Sequence, residues 1–306
     1  MAASGGAGLA RANARSRAAS TIRPSVVVAY VLSIALCLIV LFPVFWMLAT
    51  SLKLPEEVAQ DPYTLIPSQL DFGNYPAAWQ STDFARYFLN SGTISILSAV
   101  LQVALCATAG YAFARLPFPG RGPLFAVTLA TIMVPAQVTI VPLFVLLKVI
   151  PLVGGNNLSG QGGFGLLDSY PGLLAPHIVG AFGIFLMRQF FLTLPGELAD
   201  AARIDGAGEF TIYWRIFMPL TWPAIATLAI FSFQDTWNDF LWPLVITRTD
   251  AMKTVQLALS IFQQEYNTQW TLLMAATAMI CIPIVILFTL FQRSFRQGVV
   301  LSGLKG

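Results

Sequence analysis

Long uncharged stretches alternate along this chain with shorter segments that carry most of its polar residues. A helix needs about 20 apolar residues to cross the hydrocarbon core of a bilayer. Six stretches meet this requirement, near residues 26–50, 87–114, 122–147, 169–190, 216–236 and 268–292. A charged residue at the bilayer centre costs about 2.5–3.5 kcal/mol on insertion scales. The lack of charged residues at the centres of these six stretches therefore supports a transmembrane position. The pattern predicts an all-α membrane protein with six transmembrane helices.

Composition agrees with this interpretation. Of the 306 residues, 57% are hydrophobic and only 10% are charged, whereas an average soluble domain is about 25% charged. The net charge of +3 is small and gives no indication of nucleic-acid binding. We therefore expect a lipid bilayer as the surroundings and no nucleic acid as a partner.

The positions of lysine and arginine predict the orientation of the six spans. Residues 1–25 form a basic tail before the first span, and with this tail inside, twelve of the seventeen cationic residues fall on inner segments. The five on outer segments are Lys53, Arg86, Lys148, Arg248 and Lys253. By the positive-inside rule, both termini are cytoplasmic, and residues 296–306 form a cytosolic C-terminal tail after a transmembrane domain over 26–295.

The segment between spans four and five is polar but has the pattern of a helix, over about residues 195–213. Pro195 can occupy the first turn, and Glu197 and Asp200 lie near the positive end of the helix dipole. Gly206 can adopt a positive φ and break the helix. A second short helix is predicted from Glu209 to residue 217.

Ala199, Ala201 and Ala202 favour a helix and have little bulk, so another backbone could approach this segment closely. Two interpretations remain open on physical grounds. The segment is either a cytosolic loop that happens to be helical, or a docking helix for a soluble partner.

The same segment resembles the "EAA" coupling motif of bacterial ABC-importer permeases. The resemblance lies in Asp200–Ala202, Asp205–Ala207, Ile216 and Pro219, with Asp200 where the family usually has Glu. It implies the type I permease fold of ABC importers, with a cytosolic coupling helix that sits in a cleft of the ATPase subunit. The implied ATPase-coupling residues are Glu197, Asp200, Ala201, Ala202, Asp205, Gly206 and Ala207.

Further stretches resemble the maltose-type, carbohydrate-specific permeases. They are Phe88–Ile96, Gly110–Gly122, Phe182–Phe191 and the WNDFLWPL run that begins at Trp237. The C-terminal tail, which contains Gly303, Lys305 and Gly306, resembles the glycine-rich Lys-Gly tail of that family. In the family this tail inserts between the two ATPase subunits. The resemblance therefore implies ATPase contacts at Gly303 and Lys305.

The resemblance implies a complete assembly around this chain. Its partners would be a second homologous permease subunit, two ATPase subunits and an extracytoplasmic solute-binding protein, in the cytoplasmic membrane of a bacterium. ATP and Mg would bind to the ATPase subunits, because this chain has no phosphate-binding GxxxxGK[ST] run. No catalytic residue, cofactor or metal is expected in the chain itself. The transported solute would be a sugar or sugar-like compound.

Polar residues also cluster at the outer end of span five. Asp235, Asn238 and Asp239 have i, i+3, i+4 spacing and would share one helical face. Polar groups at membrane depth usually face a cavity or a partner. We predict that this face lines the translocation path or the outer gate; the alternative is a solvated helix end.

Two other classes of protein were weighed. An ion-coupled secondary transporter usually has paired ionisable groups near mid-membrane, and spans one to four and six contain no acid that could serve. The lone His177 lies in an apolar run without a neighbouring acid or cysteine, which indicates a helix-packing role. A membrane-embedded enzyme would have only His177, Asp235 and Asp239 available, and nothing in the sequence requires them to meet.

Overall fold

A computed structural model describes residues 24–263 and 268–303, with side chains through residue 292. Apart from an isolated bridge between Gln263 and Thr268, the regular structure of this part is helical. The α-helices are α1 Pro24–Ser51, α2 Pro55–Gln60, α3 Asn74–Gln80, α4 Phe84–Arg115, α5 Arg121–Ala130, α6 Ala136–Lys148, α7 Tyr170–Leu174, α8 Ala181–Thr193, α9 Glu197–Ile204, α10 Glu209–Thr211, α11 Met218–Leu220, α12 Trp222–Asn238, α13 Leu241–Ile246, α14 Val255–Phe262 and α15 Trp270–Gly303.

Three helices, α1, α4 and α15, are individually long and apolar enough to cross a membrane. Three bent pairs of helices reach that length together. The bend is 102° between α5 and α6, 51° between α7 and α8, and 80° between the α10–α11 segment and α12. If each pair is one span, the described residues supply the six spans that the sequence predicts.

The breaks in these pairs have local causes. At the α5–α6 break, Val134 has an extended backbone, because the ring of Pro135 disfavours a helical conformation in the residue before it. The third break falls at Thr221, one residue before α12 and two before Pro223. The span predicted over residues 216–236 is therefore bent at Thr221.

The helix predicted from Glu209 to residue 217 differs in both form and length. Only Glu209–Thr211 is α-helical before a π-helix over Ile212–Phe217. The chain then continues helically through Met218–Leu220, so Pro219 does not end it. Proline is tolerated there because it lies at the start of a helical turn, where no N–H is needed.

Hydrogen bonds join the helix ends at one side of the bundle, called here the loop end. Asn74 at the start of α3 donates to the carbonyls of Ser51 and Lys53 after α1, at 3.1 and 2.8 Å. Asn90 near the start of α4 donates to the carbonyls of Ala251 and Lys253. α1 therefore ends, and α4 begins, at the loop end.

α4 is the central helix of the bundle, and it packs closely against α8 and α12. Glycines on both partners permit the contact with α8. A Cβ on Gly110 would lie 2.7 Å from Cβ of Met187, and a Cβ on Gly183 would lie 2.8 Å from Sγ of Cys106. Small residues at such contacts are typical of helix packing in membranes, where close backbone approach replaces the hydrophobic effect as the source of attraction.

Candidate functional site

The coupling segment, residues 195–213, lies where α4 and α8 end, and this side of the bundle is called here the coupling end. α9 begins at Glu197, so Pro195 precedes the helix instead of occupying its first turn. Glu197 and Asp200 do lie in the first turn, as the sequence predicts. There their charges are favoured by the partial positive charge of the helix N-terminus.

A Schellman motif at Gly206 ends α9. Gly206 has a φ of +81° and its N–H donates to the carbonyl of Arg203 at 3.0 Å. The N–H of Ala207 donates to the carbonyl of Ala202 at 2.9 Å. This pair of bonds satisfies two carbonyls at the helix end. It requires a residue in the left-handed conformation, which glycine adopts without a steric penalty. The Asp205–Ala207 part of the motif is therefore a helix stop that sets the direction of the chain toward α10.

Arg203 links the two helices across this turn. Its guanidinium contacts the carboxylates of Asp200 at 2.8 Å and Glu209 at 2.9 Å. The other oxygen of Glu209 accepts a hydrogen bond from the hydroxyl of Tyr111 in α4, at 3.0 Å. The hydrogen bond from Arg203 lowers the pKa of Glu209, with Tyr111 adding to the effect. Exposed ion pairs contribute little stability, so we interpret this network as fixing geometry.

Two of the three alanines of the segment pack inward. Ala199 and Ala202 are buried and belong to a core cluster that includes Tyr111, Phe191 and Tyr213. Their small size lets α9 lie close to the chain's own bundle. Ala201, in contrast, is exposed, so it is the alanine that another protein could reach.

The outward side of the segment combines apolar and acidic residues, and it is called here the docking face: Leu198, Ala201, Ile204, Asp205 and Phe210. Ile204 is 87% exposed and Phe210 is 76% exposed. Two large apolar side chains so exposed in one short segment make it a candidate interaction surface.

Arg115, at the end of α4, was not singled out from the sequence. Its guanidinium donates to the carbonyls of Phe191 and Leu194 at the end of α8. It also lies over the ring of Phe217, 4.9 Å from the centroid. Since free carbonyls at a helix end need donors, Arg115 joins α4, α8 and the π-helix into one unit.

A second candidate site is a cavity of about 900 Å³, called here the polar cavity, which is lined by residues of α4, α6, α8 and α12. Its polar lining includes Gln102 near the middle of α4, with Gln137, His177, Ser232, Asp235 and Asp239. It lies beside the α5–α6 break and the α7–α8 break. Non-helical backbone at membrane depth is tolerated where it is buried or lines a cavity, which is the arrangement seen here.

His177 meets both acids of span five in this cavity. Its Nε2 lies 3.0 Å from Oδ2 of Asp239, and its Nδ1 lies 3.6 Å from Oδ2 of Asp235. The prediction of a helix-packing histidine without an acidic partner is therefore wrong. Asp235 lies in α12 and Asp239 directly follows that helix, about 60 residues after His177, so no local pattern could reveal the contact.

Asp235, Asn238 and Asp239, which were predicted to share one helical face, all line this cavity. Only the first two belong to α12. α12 ends at Asn238, and Asp239 follows it with an extended backbone. Oδ1 of Asp239 accepts from the backbone N–H of Trp242 at 3.2 Å and so caps α13. Asp239 has a local structural role, whereas the side chain of Asp235 is 74% exposed and faces the cavity more freely.

The predicted C-terminal contacts fall at the limit of the structure. α15 continues to Gly303, so the separate tail predicted from residue 296 begins no earlier than the end of that helix. Lys305 lies outside the described residues.

Comparisons with known proteins agree with this fold and indicate the family of the chain. Residues 106–300 match the family described as "Binding-protein-dependent transport system inner membrane component". The chain is 34% identical to the arabinooligosaccharides transport system permease protein AraQ of Bacillus subtilis, over 89% of this chain and 92% of that protein. It is 34% identical to the diacetylchitobiose uptake system permease protein NgcG of Streptomyces coelicolor, over 92% and 90%. It is 35% identical to the sn-glycerol-3-phosphate transport system permease protein UgpE of Yersinia pestis, over 86% and 92%.

A solved structure supports the fold independently of sequence. A chain in the crystal structure of a bacterial ABC transporter involved in the import of the acidic polysaccharide alginate superposes with a TM-score of 0.74 at 24% identity. The alignment covers 88% of this chain and 95% of that chain. The helix order, the coupling segment and these matches lead to one conclusion: the chain belongs to the family of binding-protein-dependent transport system inner membrane components, the permease subunits of ABC importers.

Proposed function

We propose that this permease subunit imports a sugar or sugar-like solute by coupling ATP hydrolysis on partner subunits to alternating access. The observation that carries the proposal is the coupling segment, which is fixed to the bundle on one side and exposes the docking face on the other. The names of three relatives, for arabinooligosaccharides, diacetylchitobiose and sn-glycerol 3-phosphate, support a sugar or sugar-like solute.

In this mechanism two ATPase subunits bind ATP and Mg, and one of them receives the docking face in a cleft. Closure of the ATPase pair moves the coupling segment. The Arg203–Glu209–Tyr111 network then carries the movement into α4. Arg115 carries it from α4 to the end of α8, because its guanidinium bonds the carbonyls there. This chain and a second homologous permease rock together between inward-open and outward-open states.

The rest of the assembly follows from the same proposal. An extracytoplasmic solute-binding protein would deliver solute at the loop end, and both chain termini would be cytoplasmic. Asp235, Asn238 and Asp239 would line the translocation path near the outer gate. Solute shifts the cycle only through its different affinities for the two states. Membership of the importer family accounts for transport without the ion-coupled alternative.

Purification of the tagged chain from its native membrane tests the proposal. We expect an ATPase and a second permease of this family to co-purify, with ATP hydrolysis stimulated by the loaded binding protein. Solute accumulation by this chain alone, driven by an ion gradient without ATP, would contradict it.

Removal of the last six residues, Leu301–Gly306, should uncouple transport from hydrolysis. If the tail inserts between the ATPase subunits, its loss leaves the docking face in place but removes a second contact. We expect at least a tenfold fall in solute imported per ATP hydrolysed, measured in proteoliposomes. Deletion of residues 2–7 is the matched control and should leave this ratio unchanged. Wild-type coupling in the C-terminal deletion would refute a role for Gly303 and Lys305.

A further inference from the structure

We propose that the polar cavity is a solute-binding site of this subunit for a polyhydroxylated compound such as a neutral oligosaccharide, and that it disfavours anionic solutes. The inference rests on the proposed function, in which solute passes along this side of the chain. It goes further in assigning direct contact with the solute to this subunit, and in assigning the charge of that solute.

The cavity offers hydrogen-bonding groups that the fold does not use. The carboxylate of Asp235 has one contact, with Nδ1 of His177 at 3.6 Å, so most of its acceptor capacity is free. The amides of Gln102 and Gln137 make no hydrogen bond within the described part of the chain, and each can both donate and accept. Sugar hydroxyls also donate and accept, so they complement such a mixture.

Ser232 provides an independent indication of a ligand. It is 3% exposed and lines the cavity, yet its hydroxyl has no partner among the described residues. A buried hydroxyl in a helix usually donates to the carbonyl four residues earlier. Among the described residues six threonine hydroxyls do so: Thr108, Thr128, Thr227, Thr247, Thr277 and Thr289. Ser232 is three residues before Asp235 in α12, so both lie on one helical face.

The apolar part of the lining suits a sugar ring. Phe182 and Phe231 line the cavity with about half of each side chain exposed. Their rings meet edge to face with centroids 6.1 Å apart. A mostly apolar wall with a few convergent polar groups is the usual form of a small-molecule site, and such sites have volumes of about 300–1,000 Å³. The C–H faces of a sugar pack on aromatic rings of this kind.

Charge selects among sugar-like solutes. The cavity contains two carboxylates and one histidine, and none of its described lining residues is lysine or arginine. An acidic sugar or a sugar phosphate would therefore meet two carboxylates, and His177, which already contacts both of them, is the one lining side chain among the described residues that could offset their charge. A neutral solute avoids this repulsion and still uses the free acceptors.

The test measures binding to the purified complex with its ATPase and second permease, in nanodiscs and without the binding protein. Saturation-transfer difference NMR uses maltotriose, arabinotriose and diacetylchitobiose as neutral probes, with an alginate trisaccharide and a chitosan trisaccharide as anionic and cationic probes. We expect transfer to at least one neutral saccharide, and the alginate trisaccharide should bind more weakly than either the neutral or the cationic probe. Asp235→Asn and Ser232→Ala should each raise the Kd of the neutral saccharide about tenfold.

Two matched controls lie outside the cavity. Asp250→Asn changes an exposed acid paired with Lys253, and Ser260→Ala removes a hydroxyl that donates to Leu257 in its own helix. Neither should change the Kd. The inference is overturned if both cavity variants bind with wild-type affinity, if no neutral probe binds, or if the alginate trisaccharide binds as well as the neutral probe or better. If the proposed function is wrong, no ATPase co-purifies with this chain. That result is seen before any solute is added, so it is distinguishable from failure of this inference.

Discussion

Replacement of Ala201 by arginine should abolish attachment of the ATPase while leaving the permease folded. Ala201 is exposed on the docking face, between the buried Ala199 and Ala202. Because Ala201 is exposed, a long cationic side chain there would not disturb the core of the bundle, but it would prevent a partner surface from approaching α9. We expect the amount of co-purified ATPase to fall at least tenfold and ATP-driven uptake to disappear with it.

The control for this variant is Ala59→Arg, which places the same side chain on an exposed alanine of α2 at the loop end. It should retain ATPase binding, because α2 lies at the opposite end of the bundle from the docking face. Size-exclusion profiles of both variants report on folding. Normal ATPase retention by Ala201→Arg would show that α9 does not enter a partner's cleft, and the proposed coupling would then be wrong.

The second large effect concerns the contact between α4 and α8. Gly110→Ala adds a Cβ that would lie 2.7 Å from Cβ of Met187 and 2.9 Å from the backbone nitrogen of Arg188. The backbone of α8 must shift to accommodate it, and overpacking of this kind costs about 1–3 kcal/mol. We expect a lower melting temperature in detergent and a several-fold smaller yield of folded protein.

Gly92→Ala is the matched control in the same helix, since no atom lies within 4 Å of the added Cβ. Alanine is favoured over glycine in a helix interior by about 0.5–1 kcal/mol. This variant should therefore be as stable as the wild type or more stable. Equal melting temperatures for the two variants would mean that α4 and α8 do not approach as closely as the structure shows.

Properties that depend on a short stretch of chain could be predicted from the sequence. The six apolar stretches are recognisable because the transfer of about 20 residues into a bilayer depends on their composition and little on their neighbours. The helix stop at Gly206 is likewise local, since a positive φ depends on the residue itself. The motif of the coupling segment was enough to identify the importer family, which the comparisons confirm.

Tertiary structure decided the features that join distant parts of the chain. It buried Ala199 and Ala202 and left Ala201 exposed. All three residues are alanine, so helix propensity does not distinguish them. It brought His177 to Asp235 and Asp239 from separate helices. Such contacts arise from the packing of whole helices, and their energies depend on groups that are far apart in sequence. The chain's own residues thus determined which segments enter the membrane, while packing among those segments determined which side chains meet in the cavity and which remain available to a partner.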